Sequence, residues 1–135
     1  MNIATSGKGT RLLTAGAYAA LFLAGAVEGL IGSFQYSRNA PLAAIGFCVV
    51  LLATCLLGAW AMRSVSGALC PAVGWVVASF VLSMPVASGS VIITDSAAGK
   101  WYLYGGAAAS LAGVGLSFGA LSVRGGARRP GPRSR

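Results

Sequence analysis

The chain reads as long apolar runs over residues 12–33, 42–62, 72–90 and 101–123, separated by polar breaks at 35–41, 63–71 and 94–100. A helix of about 20 mostly apolar residues crosses roughly 30 Å of hydrocarbon, so each run is long enough to span a bilayer. Backbone polar groups in hydrocarbon must be satisfied inside the protein, and none of the runs alternates like a barrel strand. The pattern therefore predicts an all-α, polytopic membrane protein, a bundle of four transmembrane helices within residues 1–123. Lys8, Arg11 and the start of the first run also match the opening of a secretory signal, with Ala24-Gly25-Ala26 as its cleavage site. The run continues past that triplet to about residue 33, which favours a retained span.

Proline sets the expected punctuation. Pro41 and Pro71 stand just before helices 2 and 3, where a first-turn proline is tolerated. Pro85 falls inside the third run and predicts a kink there, because it removes a backbone hydrogen bond. The β-branched residues Val91, Ile92, Ile93 and Thr94 are expected to leave the helix as an extended segment.

Composition agrees with a lipid solvent. Of 135 residues 56% are hydrophobic and 9% charged, far below the roughly one quarter that coats a soluble domain. An ordinary soluble enzyme is thereby excluded. The sequence has no histidine, which removes the usual zinc sites and imidazole catalysis. It also holds no phosphate-binding loop, Ser/His/Asp set, metal-ligand cluster or cofactor motif, so no cofactor is expected. The three cysteines do not complete a disulfide framework: Cys48 and Cys55 lie about 10 Å apart along one helix, and Cys70 falls near a cytoplasmic surface that keeps thiols reduced.

The net charge of +8 gives the bundle a direction. Lys8, Arg11, Arg63 and the arginines at 124, 128, 129, 133 and 135 fall on one side of the predicted spans, with Arg38, Lys100 and Asp95 on the other. Cytoplasmic loops retain Lys and Arg, so the expected location is the cytoplasmic (inner) membrane, multi-pass, with both termini cytoplasmic. Aromatic residues give the same direction, with Phe34, Tyr36, Trp101, Tyr102 and Tyr104 in an outer interfacial belt and Trp60 and Trp75 in the inner one. Residues 124–135 are expected to form a disordered basic cytoplasmic tail, in which Arg124, Arg128, Arg129, Arg133 and Arg135 contact anionic headgroups. Without stacking aromatics that tail predicts no nucleic-acid partner.

Rows of small residues four apart mark faces that approach another helix closely. Gly25 with Gly29 on helix 1 and Gly115 with Gly119 on helix 4 are the expected packing sites. They would join these helices to each other or pack across a dimer interface.

Glu28 is the acid within a predicted span, and an ionisable group there is a candidate functional site because placing it is costly. From the first run, Glu28 falls roughly 8–9 Å outward of the midplane. Two readings follow. In one, Glu28 is an ion-pair partner of Arg38 or Lys100 that locks the outer helix ends; in the other, it exchanges protons or binds a cation. Asp95, followed by Ser96, reads as a loop or capping residue.

The stretch Ala68-Leu69-Cys70-Pro71-Ala72-Val73-Gly74-Trp75, then Pro85 and Tyr102-Leu103-Tyr104-Gly105-Gly106, resembles a family of small actinobacterial four-helix membrane proteins with no assigned activity. The resemblance covers helices 3 and 4 and implies fold and location. In that family an acidic residue often follows the helix 3 proline, whereas this chain reads Val86-Ala87-Ser88-Gly89-Ser90. In length, helix number and a first-helix glutamate the chain also resembles the small multidrug-resistance exporters. The expected function is a non-enzymatic accessory or interaction protein of the cytoplasmic membrane, partnered by lipid and by a second copy or a larger membrane protein. The alternative is a small proton- or cation-coupled transporter using Glu28.

Overall fold

The structure, a computed structural model, describes residues 4–35, 38–39, 41–85, 93 and 95–126. Its helices are α1 (Ala4–Gln35), α2 (Leu42–Met62), α3 (Val65–Ser83) and α4 (Ala97–Gly126), and no strand occurs among the described residues. All four helices are long and apolar enough to cross a membrane. The all-α four-helix architecture expected from the apolar runs is what the chain forms.

Helix ends differ from the apolar runs for identifiable reasons. Helix α1 starts eight residues before its run and α4 ends three residues after its own. Apolarity marks the stretch that lies in lipid, whereas a helix once nucleated propagates into polar sequence. Arg124 consequently belongs to α4 rather than to a tail, while Arg128, Arg129, Arg133 and Arg135 lie outside the described residues. The start of α4 is set by Ser96, whose hydroxyl accepts from Gly99 N at 3.2 Å and whose carbonyl accepts from Lys100 N at 3.0 Å.

Helix α3 departs most from expectation. It begins after a two-residue turn, in which Arg63 takes a left-handed conformation (φ 48°, ψ 36°) and Ser64 caps the new helix by accepting from Ser66 N. Pro71 therefore sits inside α3 instead of before it. Pro85 lies beyond the helix, so the kink expected there is absent. The residue before a proline is driven out of the α region, and Met84 accordingly adopts extended geometry (φ −75°, ψ 141°), which ends α3 at Ser83. Of the expected extended segment, residues 91, 92 and 94 lie outside the described residues; Ile93 is buried, and its N–H donates to Leu82 O at 3.4 Å.

Glycines set the order of helices in space, because backbone meets backbone where a side chain is missing. Gly25 abuts the Pro71 backbone, Gly29 meets Trp75 and Ala78, and Gly74 faces Phe22 and Ala26, so α1 and α3 run parallel and adjacent. Gly58 and Gly67 each occupy the space where the other would carry a side chain, which clasps α2 to α3 beside their turn. Pro71 has no N–H to offer the Gly67 carbonyl four residues back, and that freed carbonyl oxygen is the atom lodged against Gly58. Gly105 meets Cys48 and Gly113 meets Cys55, so α2 and α4 are also parallel neighbours. Helices α1 and α4, expected to pack on each other or across a dimer interface, flank the central α2–α3 pair and touch where Tyr102 reaches Gly29 and Gly32. Gly25 and Gly29 pack as expected, but against α3. Gly115 and Gly119 have nothing within 4 Å of the position a side chain would take, so they face out of the bundle.

Helices α2 and α3 fix the depth scale. Their turn carries the Arg63 charge, and their 21 and 19 residues reach only about 28–32 Å, one hydrocarbon thickness. Tyr18, whose hydroxyl meets Ser66 Oγ at 2.8 Å, lies level with the start of α3. The part of α1 before it runs past the α2–α3 turn, with Leu12 and Leu13 73% and 77% exposed.

Candidate functional site

Glu28 is placed by the parallel packing of α1 on α3. Its neighbour Gly29 lies beside Trp75, one residue from the midpoint of α3, and its own carboxyl meets Thr54, two residues from the midpoint of α2. The acid thus lies within about 3 Å of the bundle's mid-depth, not 8–9 Å outward. The apolar run misplaced it because residues before about Tyr18 extend past the other helices and shift the true centre of the spanning part toward Glu28.

At this depth Glu28 Oε1 lies 2.5 Å from Thr54 Oγ1, and Oε2 is buried with no hydrogen-bond partner among the described residues. Thr54 Oγ1 also lies 3.0 Å from the Val50 carbonyl one turn back on its own helix. The contact ties α1 to α2, which otherwise touch only lightly. Lys100, one expected partner of Glu28, lies in the first turn of α4 and instead pairs with the exposed Asp95, just before that helix, at 3.1 Å. Arg38, the other, lies in the α1–α2 connection beside Gln35, Asn39, Ala43 and Phe47. The structure therefore does not bring Glu28, Arg38, Asp95 and Lys100 together. It forms the Asp95–Lys100 pair and gives Glu28 a neutral hydroxyl partner.

A second polar cluster was not legible as such. Trp75 and Tyr102, expected in opposite interfacial belts, are both buried, 4% and 1% exposed, with ring centroids 5.6 Å apart. Trp75 Nε1–H donates to Tyr102 Oη at 3.1 Å, and the Tyr102 hydroxyl donates to Gly29 O at 2.9 Å. Ser33 Oγ donates to the same carbonyl at 2.6 Å, and Ser33 and Ser79 flank the Tyr102 hydroxyl. These bonds join α1, α3 and α4 through side chains. Gly32 and Gly106 are the signal that could have revealed it, since each leaves room for one of the two rings. Such a cluster holds helices together, because an unmet polar group in hydrocarbon is costly.

Among the described residues no group of three metal-ligating side chains occurs, and Cys48, Cys55 and Cys70 are free thiols. The helices and their outward apolar side chains define a multi-pass membrane protein. No protein-family model, curated protein or solved structure matches the chain.

Proposed function

We propose that the chain is a non-enzymatic accessory protein of the cytoplasmic membrane, with both termini cytoplasmic, that works by associating with other membrane helices, first of all a second copy of itself. The observation that carries this reading is the outward pair Gly115 and Gly119 on α4. Inside the bundle, close helix approaches are made at glycines, among them Gly25, Gly29, Gly58, Gly67, Gly74, Gly106 and Gly113. A glycine in a helix interior costs up to about 1 kcal/mol relative to alanine, and no described residue lies within 4 Å of the outward positions to offset it. Because the pair lies on one helix, the same patch on two copies is self-complementary about a two-fold axis along the membrane normal. The basic residues near the terminal end, Arg124, Arg128, Arg129, Arg133 and Arg135 included, favour a cytoplasmic face in contact with anionic headgroups.

Crosslinking in native membranes followed by pull-down and mass spectrometry tests this reading. The expected result is a self-crosslinked species that Gly115→Ile with Gly119→Ile abolishes while the monomer still folds. A chain that crosslinks to nothing, or whose crosslinks ignore both substitutions, contradicts it.

The mid-depth position of Glu28 favours a second reading, a small proton- or cation-coupled carrier. Its support is the site's geometry: a carboxyl group at the centre of the bundle that, among the described residues, has no basic partner and one buried oxygen without a hydrogen bond. Proteoliposomes under a pH gradient would show a flux that Glu28→Gln removes; equal flux in both proteins would contradict it.

A further inference from the structure

Thr54 has one hydroxyl hydrogen and two oxygens within reach, Glu28 Oε1 at 2.5 Å and Val50 O at 3.0 Å. One hydrogen serves one of these contacts. If the carboxyl is ionised, Thr54 must turn its hydrogen to Oε1, its bond to Val50 O is lost, and a full negative charge is shared with a buried Oε2 that has no partner among the described residues. Charge at mid-depth in hydrocarbon is among the most costly arrangements a helix can carry. If the carboxyl keeps its proton, both contacts are satisfied at once: Glu28 donates to Thr54 Oγ1 and Thr54 donates to Val50 O. Oε2 is then a neutral carbonyl oxygen, for which an unmet lone pair costs far less than an unmet charge.

We infer that Glu28 and Thr54 form a proton-binding site at mid-membrane, in which a neutral carboxylic acid links α1 to α2 through a directed chain from Glu28 to Thr54 to the Val50 carbonyl. The ligand is a hydrogen ion rather than a metal cation. Two carboxyl oxygens, one hydroxyl and one carbonyl already used by its helix do not make the six or more oxygens that a hard cation gathers. The nearby groups leave this arrangement intact. On α2 the Cys55 thiol lies close enough to feel the carboxyl, α3 presents the non-titrating Trp75 and Ala78 to this stretch of α1, and α4 reaches it with Tyr102, whose proton goes to Gly29 O. The site deepens the carrier reading by naming its ligand but does not require transport, since a neutral acid that moves nothing would serve as an interhelical clamp.

Infrared spectroscopy of the full chain in liposomes reads the site directly. At neutral pH the wild type should show a carboxylic-acid carbonyl band that Glu28→Gln removes. Thr54→Val should shift that band to higher frequency by removing its acceptor, and Thr54→Ser should restore it. Excess sodium should leave the band unchanged. A second measurement needs no variant: an apolar carbodiimide should label Glu28 by addition of the carboxyl O–H across its C=N bond, while a water-soluble carbodiimide should label Asp95 and spare Glu28. Carboxylate bands from Glu28 at neutral pH, loss of the acid band in sodium, a band indifferent to Thr54→Val, or no apolar labelling of Glu28 would each overturn the inference. Flux measured on the same liposomes separates the two ideas, because an acid band without flux keeps the proton site and rejects the carrier.

Discussion

Replacing Tyr102 with phenylalanine removes one oxygen and leaves the ring in place between Trp75 and Gly32. Two interhelical bonds disappear, the one from Trp75 Nε1–H at 3.1 Å and the one to Gly29 O at 2.9 Å. Bonds of this kind in membrane bundles contribute about 0.6 kcal/mol on average and up to about 1.7. Gly29 O keeps the Ser33 hydroxyl as a donor, but the buried Trp75 N–H is left with nothing, which costs about 1–3 kcal/mol. The expected loss is about 1.5–3 kcal/mol. Tyr104→Phe is the control: that residue is 74% exposed, and its loss should stay within about 0.5 kcal/mol. The assay is reversible unfolding in mixed micelles with rising SDS, followed by far-ultraviolet circular dichroism, a readout that every variant retains. A double-mutant cycle with Trp75→Phe should return a coupling of about 1 kcal/mol, because the two residues share a bond. If Tyr102→Phe and Tyr104→Phe are equally mild, the cluster does not hold α1, α3 and α4 together.

Other perturbations follow from the packing. Gly67→Ala places a methyl group on the Gly58 carbonyl, backbone against side chain, and should cost about 1–3 kcal/mol in the same assay, whereas Gly16→Ala meets open space and should be neutral or stabilising by up to about 1 kcal/mol. Arg63→Gly relieves a left-handed conformation that a side chain disfavours by about 1–2 kcal/mol, so the unfolding midpoint should rise or hold; a clear fall would contradict the turn geometry. Asp95→Asn breaks an exposed ion pair and should cost no more than about 1 kcal/mol, a loss that high salt erases.

The apolar runs revealed the number and type of the helices because hydrocarbon demands length and apolarity, and both can be counted along a chain. They revealed ends and neighbours poorly. Helices apolar on every side carry no stripe that names their partner, so pairing had to come from close backbone approach. Gly25 and Gly29 could be read as packing residues but not assigned to α3, and Gly115 and Gly119 carry the same spacing while facing outward. Pro71 and Pro85 exchanged roles because a helix tolerates a proline whose lost bond is compensated, here at a helix crossing, and cannot continue through the residue before one. Trp75 and Tyr102 suit an interfacial belt and a buried bonded pair equally well as single residues; only their mutual placement tells the two apart. The mid-depth position of Glu28 depended on how far α1 outruns its neighbours, which no local pattern encodes.

On the proposed topology four helices cross a bilayer with the chain ends and the α2–α3 turn on one side. Single cysteines placed in a cysteine-free chain at positions 39, 64, 96 and 126, probed in intact cells with a membrane-impermeant thiol reagent, test it directly. Labelling at 39 and 96 with protection at 64 and 126 is the predicted result. Labelling at 126 but not at 96, or at all four positions alike, would contradict it.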